Sequence, residues 1–101
     1  MVAVLTLHSG ATDGFREYET KAARILSRYG GVIERTVVVE PSALDERMRE
    51  VHILSFPSQE AFARYRTDPD LVALASLRMT SIAHTDVLFG REGPDYTSLA
   101  E

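Results

Sequence analysis

The sequence predicts an α+β fold of the ferredoxin-like, split βαβ kind, and three observations predict it. In the first half of the chain two β-branched runs, VAVLTLH and VIERTVVVE, flank an amphipathic helical pattern. The second half repeats that order with REVHILSF, a longer apolar helical stretch and AHTDVLFG. In each half the hydrophobic pattern is extended and β-branched, then recurs every three or four residues, then is extended again, which gives βαββαβ. Such a chain forms a four-stranded sheet, antiparallel overall, in the order 4-1-3-2, with both helices on one face.

The first strand, residues 2–8, is stopped by the turn formers of SGATDG. Thr12 or Asp13 is the expected N-cap of the helix that follows, because Phe15, Tyr18, Ala22, Ile25, Leu26 and Tyr29 then recur on one helical face. Gly30 and Gly31 end that helix, glycine being free to take the left-handed geometry of a helix terminus. The second strand, residues 32–40, is closed by Pro41, which has no amide hydrogen for a ladder. SALDER is a polar connection with room for one helical turn.

Residues 49–56 form the third strand. Pro57 ends it and Ser58 caps the helix that begins QEAFARY. Asp68 and Pro69 break that helix and restart it, since proline at a first helical position loses nothing by lacking an amide hydrogen. Leu71, Leu74, Ala75 and Met79 are its apolar positions, and residues 83–90 are the fourth strand. The expected domain is 1–90, with residues 91–101 a tail that is either disordered or laid across a partner chain.

A length of 101 residues suits one domain and is too short for a catalytic domain joined to a cofactor domain. The hydrophobic share of 45% and charged share of 26% are those of a globular protein. A net charge of −4, with Lys21 the only lysine, offers no basic footprint for nucleic acid or an anionic membrane. Neither a signal peptide nor a membrane span is legible, so a cytoplasmic protein is expected. With no cysteine there is no disulfide, no thiolate metal site and no thiol nucleophile.

If both helices cover one face of the sheet, the other should alternate toward polar residues, yet both parities are apolar. Leu5 and Leu7 stand against Val2 and Val4, and Leu54 and Phe56 against Val51 and Ile53. Each large side chain left in water forfeits roughly 1.5–3 kcal/mol of burial. A homodimer packed sheet to sheet is the simplest remedy.

EYETKAARILSRYGG followed by a β-branched strand, and later HILSFPSQEAFARYRTDPDLVALASLR, resemble the dimeric α+β barrel proteins grouped as the domain-of-unknown-function family numbered thirteen-thirty. The resemblance extends to about Gly90. It is carried by Tyr29, Gly30 and Gly31, by Phe56, Pro57 and Ser58, by Pro69, and by Leu77 with Arg78. It departs at Arg64 and Leu71, where the family often has aromatic residues, and at VVVEPSALDER, where it has a glycine-rich stretch; a sister branch of the same superfamily fits equally. The resemblance implies a dimer whose two sheets close into a barrel. It also implies company that includes cofactor-independent monooxygenases, isomerases, haem-handling proteins and effector-binding domains, among which a fold does not choose.

The histidines fall on the first, third and fourth strands as His8, His52 and His84, with Asp86 two residues beyond the last. Three imidazoles and a carboxylate could make a metal shell. Taken as parallel neighbours, however, the first and third strands hold His52 about 13 Å from the level of His8. The fourth strand, antiparallel to the first, brings its beginning to the first strand's end. His8, His84 and Asp86 are therefore the candidate catalytic cluster, with no metal and no cofactor expected. Tyr18 and Tyr65 lie on sheet-facing helical positions. Arg78 shares an apolar helical face with Leu71 and Leu74, where its guanidinium snorkels outward or meets an acid or an anionic ligand. These three are the candidate substrate-binding residues. No phosphate loop, nucleophile elbow or paired-histidine helix motif is present. Two readings follow: a small cofactor-independent enzyme, monooxygenase- or isomerase-like, acting on an apolar or aromatic small molecule, or a non-catalytic module that binds a ligand or a partner protein.

Overall fold

Extended β-branched runs and glycine- or proline-bounded helices alternate along the chain as β1 (Val2–Leu7), α1 (Thr12–Ser27), β2 (Val32–Val39), β3 (Arg49–Ser55), α2 (Gln59–Arg66), α3 (Pro69–Val72), α4 (Ala75–Ser81), β4 (Ile82–Leu88) and α5 (Tyr96–Leu99). The structure is a computed structural model and describes residues 1–99. The sheet order is β2-β3-β1-β4, which is 4-1-3-2 read from the other edge, and the fold is ferredoxin-like. Every neighbouring pair is antiparallel, β1 with β3 included, in the register Val2↔Ile53 and Ala3↔His52. The expectation of parallel β1 and β3 is thereby corrected. The α1 crossover makes β1 and β2 parallel, and β3 returns antiparallel between them. His52 thus sits beside Ala3, farther still from the end of β1 where His8 stands.

The switch at Phe56, Pro57 and Ser58 works through Ser58, whose side chain accepts from the Ala61 amide at 3.1 Å. Asp68 caps α3 in the same way, accepting from the Asp70 amide at 2.8 Å with Pro69 in the first turn. Neither Thr12 nor Asp13 caps α1. Both lie inside the helix, the capping position is Ala11 without a side-chain bond, and the Thr12 hydroxyl turns to the Met48 sulfur. Gly30 has φ +73°, and the turn is closed by the Gly31 amide donating to the Leu26 carbonyl. The SALDER connection forms no helical turn.

The core joins Leu5 and Leu7 of β1, Phe15, Tyr18 and Ala22 of α1, and Ile82 of β4. Leu77 packs against this cluster, while Met79 is 74% exposed. The break before α4 resets the helical phase, so the stripe predicted through Met79 passes through Leu77 instead. On the opposite, helix-free face the register aligns Val37, Val51, Val4 and Asp86 in one row, and Arg35, Ile53, Val2 and Leu88 in the next. Ile53 is 41% exposed and Leu88 60%.

Candidate functional site

Between the sheet and the helices lies a cavity of about 620 Å³. Its floor is the helix-facing parity of the strands: Ala3 and Leu5 of β1, His52 and Leu54 of β3, and Thr85 and Val87 of β4. Tyr18, Glu19, Ala22 and Leu26 of α1 form one wall, and α2, α3 and α4 supply Phe62, Tyr65, Leu71, Ala75 and Arg78 opposite. Phe62, Tyr65 and Phe89 line one side and are joined through ring contacts, Phe62 to Phe89 at 5.6 Å and, by way of Phe56 outside the lining, Phe56 to Tyr65 at 5.5 Å and to Phe62 at 5.3 Å. The lining is mostly apolar with a few converging polar groups, as small-molecule sites are.

Strand alternation puts Glu50 and His52 on the same side of β3. His52 is 5% exposed, and its Nε2 lies 2.7 Å from Glu50 Oε1. The other ring nitrogen, Nδ1, faces Glu19 Oε2 at 3.7 Å, beyond hydrogen-bond reach. The imidazole therefore stands between two carboxyl groups and is bonded closely to one. A carboxylate at 2.7 Å selects the tautomer with its proton on Nε2, which leaves the Nδ1 lone pair unoccupied. Burial pushes the Glu19 carboxyl above its ordinary range, with His52 opposing the rise and Glu50 adding to it.

Arg78 reaches the cavity from α4 and donates to the Thr85 hydroxyl at 3.1 Å. Among the described residues no carboxylate lies within ion-pair distance of its guanidinium. Burial raises the hydroxyls of both Tyr18 and Tyr65 above the usual phenol range, Tyr65 strongly, and in each the Arg78 charge partly offsets the effect. Tyr18, Tyr65 and Arg78 thus share one cavity.

His8, His84 and Asp86 are not among the cavity's lining residues. His84 is opposite Thr6 in the register, and its Nε2 bonds Asp86 Oδ1 at 3.0 Å, both side chains being largely exposed. His8 follows β1, its amide donating to the Ser81 carbonyl. Among the described residues no hydrogen bond or ion pair links it to His84 or Asp86, and no group of three or more acidic, histidine or cysteine residues is arranged to hold a metal ion. The residues that sequence reasoning passed over are Glu19, Glu50 and His52. The signal for the latter two was the spacing already recognised in His84 and Asp86: an acid and an imidazole two apart on one strand.

No protein-family model matches the chain, and no curated protein matches its sequence. Solved structures do match in shape. SnoaB, a cofactor-independent oxygenase from Streptomyces nogalater, is 18% identical, with 93% of each chain covered and a TM-score of 0.62. The RPA0582 protein of Rhodopseudomonas palustris is 15% identical over 93% of this chain and 81% of its own, with a TM-score of 0.65. An uncharacterised NIPSNAP domain protein from Burkholderia xenovorans is 12% identical over 93% and 96%, with a TM-score of 0.61. The motif resemblance to the thirteen-thirty family has no matching model behind it. At these identities the likeness is one of fold alone, and it shows the chain to be an α+β protein of the ferredoxin-like architecture that these structures share.

Proposed function

We propose that the cavity binds a small apolar or aromatic carbonyl or phenolic compound and transfers a proton to or from it without a cofactor. The observation that carries this reading is the His52–Glu50 pair, an imidazole fixed at one nitrogen and open at the other inside an apolar cavity. His52 Nδ1 accepts the proton, Glu50 holds the ring and stabilises the imidazolium that forms, and Arg78 with Tyr18 and Tyr65 receives the oxygen on which negative charge develops. The likeness to a structure described as a cofactor-independent oxygenase supports a fold able to host such chemistry. His52 takes the role that sequence reasoning gave to His84, because His84 and Asp86 lie on the other parity of β4 from the cavity-lining Thr85 and Val87.

The helix-free face supports a second part of the proposal. Its central side chains Val2, Val4, Val51 and Ile53, with Leu88 exposed beside them and the charged Arg35 and Asp86 at the row ends, suit burial against a second copy of the chain, the two sheets closing into a barrel.

Deuterium uptake by 2-tetralone in D2O, followed by proton NMR, tests the chemistry. The protein accelerates exchange, and His52→Asn removes about 100-fold or more of that acceleration. A thermal-shift response to aromatic ketones with no exchange, equal in protein and variant, would favour the non-catalytic ligand-binding module instead.

A further inference from the structure

We infer that Glu19 is a second proton carrier in this cavity, and that the reaction is a proton shift within one substrate, the isomerisation of a β,γ-unsaturated ketone or the tautomerisation of a related carbonyl compound. The inference rests on the acid–base reading of His52 and adds the class of reaction.

The geometry begins with the two sides of the His52 ring. Glu50 occupies Nε2 at 2.7 Å and is not part of the cavity lining, whereas Glu19 lines the cavity and faces Nδ1 at 3.7 Å. A neutral imidazole has one N–H to give, and Glu50 takes it. The Nδ1 lone pair would then face a second carboxylate across 3.7 Å, an arrangement that repels unless one of the two groups carries a proton. One proton held by Glu19 or by Nδ1 removes the repulsion. Burial of Glu19 acts in the same direction by favouring its neutral form. With that proton on Glu19, the cavity contains a base at Nδ1 and an acid at Glu19, 3.7 Å apart.

An oxygenase needs only the base, since molecular oxygen consumes the carbanion. A proton shift needs both, and no other reactant. His52 Nδ1 removes a proton from the carbon between the carbonyl and the alkene. The C–H pair becomes part of a dienolate whose oxygen is held by Arg78 and Tyr18. The Glu19 carboxyl then delivers its proton to the γ carbon, the electron pair forms the new C–H bond there, and the conjugated ketone results. Transfer of the imidazolium proton to the Glu19 carboxylate restores the starting state. Atoms and electrons balance without an oxidant or reductant.

Two measurements on the full chain test this. In the first, conversion of 3-cyclohexenone to 2-cyclohexenone is followed by ultraviolet absorbance beside 2-tetralone exchange. The ratio of isomerisation to exchange falls more than tenfold in Glu19→Gln, while circular dichroism verifies the fold. In the second, carboxyl carbon NMR of labelled protein shows the Glu19 signal titrating jointly with His52, and this coupling vanishes in His52→Asn. An unchanged ratio in Glu19→Gln overturns the proposal and leaves the role of His52 standing. If neither ketone is turned over, the carboxyl signal decides alone: a Glu19 that ionises independently of His52 overturns the shared proton. Exchange that is indifferent to His52→Asn overturns the underlying acid–base reading instead.

Discussion

Glu50 and His52, two positions apart on β3, meet through Oε1 and Nε2 at 2.7 Å, and both residues are buried. A glutamine at position 50 can still accept a hydrogen bond but carries no charge to stabilise an imidazolium. Glu50→Gln should therefore slow 2-tetralone exchange roughly 100-fold, within the range of a positioned acid–base group. Glu50→Ala also leaves a buried ring N–H without its acceptor and should cost about 1–3 kcal/mol in urea unfolding.

Glu19 makes stability depend on pH. Its raised folded value means that the native chain binds the Glu19 proton more tightly than the unfolded chain does. The resulting stabilisation is fully present below the ordinary glutamate value of 4.5 and is lost as pH rises through the folded value. Glu19→Gln removes that decline. In paired urea melts the variant should gain on the parent protein as pH rises above the ordinary glutamate value of 4.5. A difference that stays constant as pH rises from 4.5 would contradict the assignment.

Gly30 and Gly10 both have positive φ, +73° and +72°, but different surroundings. A Cβ on Gly30 would lie 2.7 Å from Pro57 Cγ, and one on Gly10 would meet nothing within 4 Å. Alanine at either position incurs the left-handed backbone cost of roughly 1–2 kcal/mol. Gly30→Ala should lose more, because Pro57 sits in the turn between β3 and α2 and cannot retreat freely. Thermal melts of the two variants separate the contact with Pro57 from the backbone effect they share.

Ile53→Glu puts a carboxylate beside Val2 in the middle of the helix-free face without touching the cavity. Sedimentation at micromolar concentration should show the parent chain as a dimer and the variant as a monomer with an unchanged far-ultraviolet spectrum. A monomeric parent protein would end the argument for sheet-to-sheet pairing.

The elements were legible because punctuation and period agreed. Pro41, Ser58, Pro69 and Gly30 each mark a boundary that the structure keeps, since each acts through local backbone chemistry. The α1 cap was misread because Thr12 is a good cap by type, and only the position of Met48, distant in sequence, shows where its hydroxyl turns. Tyr18, Tyr65 and Arg78 could be placed toward the sheet from helical spacing. The approach of Glu19 to His52 could not be read that way, because it depends on how α1 lies across β3. His52 was set aside for its distance from His8, a distance that the antiparallel register only increases.

The 23 residues from Gln59 to Ser81 would make a single helix of about 35 Å, whereas the seven residues of β3 span about 23 Å. A continuous rod would overhang its sheet by about two turns. The interruptions at Thr67–Asp68 and Ala73–Leu74 fold that excess length back over the strands, and all three resulting segments contribute to the cavity. The roof therefore bends at two joints, and the first is pinned to the end of α1, since the buried Asp68 carboxylate accepts from Arg28 and Tyr29.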